Sequence, residues 1–171
     1  MTEWVPTLIK TSKSLGKIPR SLGLAYDGII WVPVDIAAKA ILDLAPVDSS
    51  QASKEGMECF NVVNPQVTHW GDLVAVIQRH YAELGQGTIE AVGFAEWLDE
   101  LREIGAANGA DEADRYPALK LLDFFEEMKG DGGNGRWGFG TENAVERSSV
   151  MAELGAVDGK LMQKWLQEWK F

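Results

Sequence analysis

DGIIWVPVDIAAKAILDL, residues 27–44, is the stretch from which the rest of the chain is read. Ile29 to Val34 is an uncharged run of aromatic and β-branched residues, which suits a buried strand. Asp35 follows at its end. Its carboxylate can accept hydrogen bonds from the free N–H groups of a first helical turn, so it reads as an N-cap. Ile36, Ala37, Ala40, Ile41 and Leu44 then fall on one helical face. A strand feeding straight into a capped helix is an α/β joint. Pro33 donates no ladder hydrogen bond and therefore puts this strand at an edge or at the end of its pairing.

Upstream of the joint, Trp4, Val5, Leu8, Ile9, Ser12 and Leu15 predict an amphipathic first helix stopped by Gly16. KIPRSLG (residues 17–23) reads as a turn or short loop. Downstream, residues 46–56 form a polar connection, and ECFNVV (58–63) predicts a second strand ended by Asn64-Pro65. Thr68 is expected to cap a helix carrying Trp70, Leu73, Val74, Ile77, Tyr81 and Leu84. Thr88 to Val92 is a third short strand, and Phe94, Trp97, Leu98, Leu101 and Ile104 make a helical stripe behind it. From there the pattern is helical: Tyr116, Leu119, Leu122, Phe125 and Met128, then a glycine-rich loop, a short helix or turn over 141–155, and a terminal helix behind Asp158. Strand–helix units in series favour an α/β fold, rich in helix, with a small sheet of about three strands flanked by helices.

A chain of 171 residues is one domain on length alone. It is 46% hydrophobic and 25% charged, as globular proteins are, and its net charge of -10 argues against a nucleic-acid or anionic-membrane surface. Cys59 is the one cysteine and cannot form an internal disulfide, so a reducing, cytoplasmic setting is expected. Neither a signal peptide nor an apolar run of transmembrane length is visible in the sequence. MTEWVPTLIK begins already inside a helical pattern, which suggests a piece of something longer.

Three motifs invite a chemical reading. Tyr116-Pro-Ala-Leu-Lys120 spells Y-x-x-x-K, the spacing at which an ammonium lowers a phenol's pKa in short-chain dehydrogenases. It follows the α/β joint instead of a dinucleotide-binding unit, so a packed tyrosine and a solvated lysine are expected. Gly130-Asp-Gly132-Gly-Asn-Gly135 fits G-x-G-x-x-G in letters only, because a helix precedes it and no helix pattern follows. His69 and His80 are three helical turns apart and cannot share one ion on a continuous helix. Cys59 has no basic neighbour to make a thiolate. Among the seven tryptophans, Trp70, Trp97 and Trp165 lie on apolar stripes and read as core. Trp4 opens the first helix beside Thr7, Thr11 and Ser12. That mixed face suits an organic ligand and a neighbouring domain equally.

Several stretches together resemble one family. TEWVPTLIKTSKSLGKIP (2–19), DGIIWVPVD (27–35), FNVVNPQVTHWGDLV (60–74), AVGFAEWLDEL (91–101) and LGAVDGKLMQKWLQEW (154–169) are similar, in order, to the C-terminal half of thioester reductase domains. These close fungal nonribosomal-peptide-synthetase-like enzymes, aminoadipate reductases and carboxylic acid reductases, and belong to the extended short-chain dehydrogenase/reductase family. The resemblance implies a C-terminal substrate-binding subdomain over residues 1–171, with the Rossmann half absent. In the family that other half carries the NADPH site and the catalytic Thr/Ser, Tyr and Lys, and no position here matches them. The resemblance implies no cofactor in this segment, NADP(H) in the parent enzyme, and phosphopantetheine on a carrier domain. Its expected partners are the Rossmann half, an upstream carrier domain and the acyl substrate, with pairing of two copies through the bared face as a further expectation. The residues implied in acyl and phosphopantetheine binding are Trp4, Thr7, Leu8, Thr11, Ser12, Tyr26, Asp27 and Trp31. Asp35 and Asn64 match motif positions with structural capping as their expected role. Two other readings fit the same residues: a free-standing, non-catalytic α/β interaction module, and part of a non-redox cyclising release domain.

Overall fold

The computed structural model describes residues 3–45, 58–108, 112–130, 139–169 and 171. Helices dominate, and the fold is the helix-rich α/β class with a small amount of sheet. Strand β1 (Lys17–Pro19) pairs in parallel with β4 (Glu90–Val92), setting Lys17 opposite Glu90, Ile18 opposite Ala91 and Pro19 opposite Val92. Strand β2 (Gly28–Ile29) pairs with β3 (Thr68–His69), so among the described residues the small amount of sheet is divided between two two-stranded ladders. Where length suggests one domain, the contacts sort the chain into two compact units interleaved in sequence. The first is Met1–Gly28, His69–Gly135 and Gly159–Phe171; the second is Ile29–Thr68 and Arg136–Asp158.

In the first unit, α1 (Trp4–Leu15) runs as the apolar spacing predicts. Pro6 is tolerated because its missing N–H falls in the first turn, where no intrahelical acceptor exists. Gly16 ends the helix in the left-handed region at φ 70°, and its N–H donates back to Lys13 O. The chain then enters β1 at once, so KIPRSLG begins as a strand instead of a loop. Gly16 O accepts from the Glu90 N–H at 2.8 Å, which starts the ladder. Lys17 Nζ lies 2.8 Å from Glu100 and 3.3 Å from Glu96, on α4 (Phe94–Asn108); the Glu100 hydrogen bond, then that to Glu96, raises its pKa.

Helix α3 (Trp70–Glu83) and α4 bring Trp70 and Trp97 to full burial, with Leu8, Ile18, Ile77, Leu98 and Phe125 around them. Buried indoles must place their N–H groups. Trp70 donates to Pro19 O at 2.8 Å, and Trp97 donates to Ser12 Oγ at 3.1 Å. Tyr81 is buried beside them, and desolvation pushes its phenol up to about 12. A 3-10 helix (Pro117–Leu121) leads into α5 (Leu122–Gly130). The terminal helix α8 (Gly159–Trp169) packs on α3, where a Cβ on Gly159 would come within 3.0 Å of Val76. Trp165 is half-buried and stacks on Trp169 with ring centroids 6.4 Å apart, so it lies at the margin of the core instead of inside it.

In the second unit, α2 (Val34–Leu44) starts one residue before the expected cap. Pro33 is the N-cap, and its carbonyl accepts the Ala37 N–H at 2.8 Å. Asp35 sits exposed in the first turn and complements the helix dipole without capping. Ala40 and Leu44 of α2 pack with Ala144 of α6 (Glu142–Arg147), Met151 of α7 (Ser149–Ala152) and Leu154. Of the expected helical face, Ile41 is turned outward. ECFNVV does not form a strand, although Phe60 and Val62 lean on that cluster. Thr68 is likewise not a cap: it lies in β3, donates its hydroxyl to Val157 O at 2.9 Å, and leaves His69 as the N-cap of α3. The expected polar connection at 46–56 and the glycine run beyond Gly130 lie outside the described residues. Among the described residues no helix is long and apolar enough to cross a membrane.

Ser148 links the pieces of this unit. Its hydroxyl accepts the Met151 N–H at 3.2 Å, capping α7, and donates to Asp43 Oδ2 at 2.7 Å. The Ser148 hydroxyl, then the Val150 N–H, hold the Asp43 carboxyl below its ordinary value. A depressed folded-state pKa adds stability that is complete above the unfolded value, about 3.9, and fades as pH falls through the folded value. Urea midpoints of the native chain should therefore fall faster below about pH 4 than those of Asp43→Asn; parallel curves would refute the assignment. In the first unit, Trp70→Phe strands the Pro19 carbonyl and should cost about 1–3 kcal/mol in chemical denaturation; an unchanged midpoint would remove that bond from the account.

Candidate functional site

Positions 4, 7, 8 and 11 recur along one face of α1, with Ser12 beside them, so the helix does gather the hydroxyls and the apolar residues expected to bind a ligand. That face is turned inward. Thr7, Leu8, Thr11 and Ser12 are buried. Thr11 Oγ1 accepts the Ala118 N–H at 3.0 Å, at the start of the 3-10 helix, and Ser12 Oγ accepts the Trp97 indole. Both hydroxyls thus serve donors inside the core.

Trp4 is half-buried at the helix start. Its ring lies 6.1 Å from Phe124, which meets Phe125 at 5.4 Å, which meets Trp97 at 5.4 Å. Trp4 is therefore the outer end of an aromatic chain that runs into the core of the first unit. Tyr26 is also half-buried, and its N–H donates to Gly23 O at 3.0 Å. Asp27 closes the same turn: its carboxylate accepts from Ser21 Oγ at 2.7 Å and from the Leu22 N–H at 2.6 Å, while its carbonyl accepts the Trp70 N–H at 2.7 Å. Seven of the eight expected residues thus share the first unit, and Trp31 belongs to the second. Trp31 is half-buried, with its carbonyl accepting from Asn64 Nδ2 at 3.3 Å. Asn64 also donates to Gly155 O at 2.9 Å and accepts the Gln66 N–H at 2.9 Å, which is the structural role expected of it.

One feature of the second unit had no sequence signal. Glu58, Phe60, Asn143, Glu146 and Arg147 line an open cavity of about 330 Å³. Its walls come from segments some eighty positions apart in sequence.

The chemical motifs settle into packing roles. Tyr116 is buried beneath the Arg115 guanidinium, 5.2 Å from its ring, and Lys120 lies 3.7 Å from Asp114. His80 meets Tyr81 edge to face, and Cys59 is exposed. Among the described residues no three His, Cys, Asp or Glu side chains cluster as metal ligands would. A dinucleotide needs a strand-to-helix turn whose backbone N–H groups reach the pyrophosphate. The helices that follow extended segments here, α2, α3 and α4, carry Asp35, Asp72 and Glu96 in their first turns. A carboxylate at that position repels phosphate, so these joints do not fit the group.

No protein-family model matches the chain. Homologues extending over nearly its whole length include a fungal carboxylic acid reductase, adenylate-forming reductases and aldehyde synthases. It is 29% identical over 180 residues to the carboxylic acid reductase of Neurospora crassa, covering 99% of this chain and 16% of that protein. The adenylate-forming reductase stbB of Stachybotrys bisbyi is 29% identical over 168 residues, 98% of this chain and 14% of that protein. The 3-methylorcinaldehyde synthase of a Phoma species is 28% identical over 168 residues, 98% of this chain and 6% of that protein. The chain thus spans less than a fifth of the length of the curated relatives it matches.

The internal role of the α1 hydroxyls is testable apart from any ligand. Thr11→Val keeps the shape but leaves the Ala118 N–H buried without an acceptor, at a cost of about 1–3 kcal/mol in urea unfolding, whereas Thr11→Ser should recover most of it. Equal stability of the two variants would show that the bond contributes nothing.

Proposed function

We propose that this chain is the acyl-binding part of an NADPH-dependent thioester reductase, which releases a carrier-bound acyl group as an aldehyde or alcohol. The observation that carries this reading is the alignment of 98–99% of the chain with fungal carboxylic acid and adenylate-forming reductases. In such a reaction hydride from NADPH adds to the thioester carbonyl, and the pantetheine thiol leaves as the aldehyde forms. The catalytic acid and the dinucleotide site belong to other polypeptide of the parent enzyme, and this chain by itself is inactive.

Its own residues hold and shield the substrate. Trp4 offers half-exposed aromatic surface backed by Phe124, a rigid wall for an acyl chain. Tyr26 offers a ring with one hydroxyl on a turn fixed by Asp27. Thr11, Ser12 and Leu8 support that wall from behind, through the bonds to Ala118 and Trp97 and through packing. Water kept from the thioester cannot hydrolyse it before hydride arrives. The partners in this reading are the Rossmann half of the reductase and a carrier domain bearing phosphopantetheine.

The test replaces the matched stretch of the Neurospora crassa carboxylic acid reductase with this chain. Acid-dependent NADPH oxidation should persist in the chimera and vanish when the stretch is deleted. Trp4→Ala in the chimera should raise KM for the acyl substrate about tenfold, the equivalent of about 1.4 kcal/mol of lost apolar contact. A chimera as inactive as the deletion, or a KM indifferent to Trp4→Ala, would contradict the proposal.

A further inference from the structure

Residues 20–27 of the first unit form a turn that is bonded at both ends and across its middle. At its entry the Arg20 N–H donates to Val92 O at 2.8 Å and the guanidinium donates to Ala91 O at 2.9 Å. At its exit Asp27 O accepts the Trp70 N–H at 2.7 Å. Ser21 and Asp27 close the span between. The Ser21 hydroxyl donates to Asp27 Oδ2 at 2.7 Å and accepts the Gly23 N–H at 3.1 Å, while Asp27 Oδ1 accepts the Leu22 N–H at 2.6 Å. Gly23 takes φ 84°, the left-handed region that favours glycine, and its carbonyl accepts the N–H groups of both Tyr26 and Asp27 at 3.0 Å. Leu22 and Ala25 are buried beneath the turn. Their neighbours in sequence are not: Tyr26 is half-buried and Leu24 is 73% exposed.

A turn bonded in this way holds its outward side chains in place before any ligand arrives, which lowers the ordering cost of binding. The apolar surface it offers is small. Among the described residues of the first unit, Leu24 and Leu84 alone are large apolar side chains more than half exposed. Leu84 follows the far end of α3, about 21 Å along the helix axis from Trp70. A stable protein partner needs about 800 Å² on each side, several times what one leucine and part of one tyrosine ring present. The apolar end of an acyl group is of matching size. We propose that Leu24 is a specificity-determining residue, which packs with the Tyr26 ring on that apolar end, and that Ser21 is the positioning residue that holds both through Asp27. The inference rests on the acyl-binding reading and adds to it a preference for acyl groups with a long apolar end.

Calorimetry of the 171-residue chain with amide analogues of the acetyl- and octanoyl-pantetheine thioesters tests this. Leu24→Ala should weaken binding of the octanoyl analogue about tenfold and leave that of the acetyl analogue within about twofold. Ser21→Ala should reproduce that selective loss and add nothing to it in the Leu24→Ala background. It should also speed hydrogen exchange of the Tyr26 and Asp27 amides, and Ser21→Thr should restore both affinity and protection. Equal losses for the two analogues, or no loss from Leu24→Ala, would overturn the selecting role of Leu24. A loss from Ser21→Ala that adds in full to that of Leu24→Ala would overturn the positioning role, because the serine would then act independently of the leucine. Trp4→Ala is the control that separates the two proposals. If it weakens binding while Leu24→Ala does not, this inference falls and the acyl-binding reading stands; if neither weakens binding, both fall.

Discussion

Two buried indole N–H groups impose the arrangement of the first unit. Trp70 and Trp97 bury the largest side chains in the core, and each brings a donor that must be satisfied away from water. Trp70 finds Pro19 O, tying α3 to β1; Trp97 finds Ser12 Oγ, tying α4 to α1. The same unit holds the β1–β4 ladder, the Gly16 turn that leads into it, and the seat of the 3-10 helix on Thr11. The aromatic chain from Trp97 through Phe125 and Phe124 to Trp4 then carries the core's packing out to a half-exposed ring. Support of that kind fixes the residue at the surface through the residues behind it, which is what the proposed acyl-binding wall would require.

The second unit is held differently. Its cluster consists of alanine, leucine and methionine with valine, isoleucine and phenylalanine at the margin, and among the described residues it holds no buried tryptophan. Polar bonds connect its distant segments: Asn64 to Trp31 and Gly155, Asn61 to Gly140, Ser148 to Asp43. Apolar surface that this small cluster cannot bury stays on the outside of α2.

The helices were legible because their signal is local: apolar spacing and terminal glycine, as at Trp4 to Gly16, need no information from elsewhere. Strands were less so. β1 in KIPRSLG was missed because three residues carry no period, and only their pairing with Glu90–Val92 makes them a strand. ECFNVV has the composition of a strand and lacks the ladder, a non-local condition that composition cannot report. Asp35 and Thr68 were misread by one or two positions, for two physical reasons. Pro33 already supplies the first accepting carbonyl of α2, and the Thr68 hydroxyl is committed to Val157. The candidate site was legible as a list and not as a geometry. Hydroxyls at positions 11 and 12 look the same in sequence whether they face a ligand or a buried N–H donor, and here they face donors.

The central claim is that these residues hold the acyl thioester and not the dinucleotide. Isothermal titration calorimetry of the 171-residue chain compares the two directly. An unreactive amide analogue of an acyl-pantetheine thioester should give saturable heat that Trp4→Ala diminishes, and NADPH should give none. Saturable NADPH binding, with no heat from the analogue, would contradict the account.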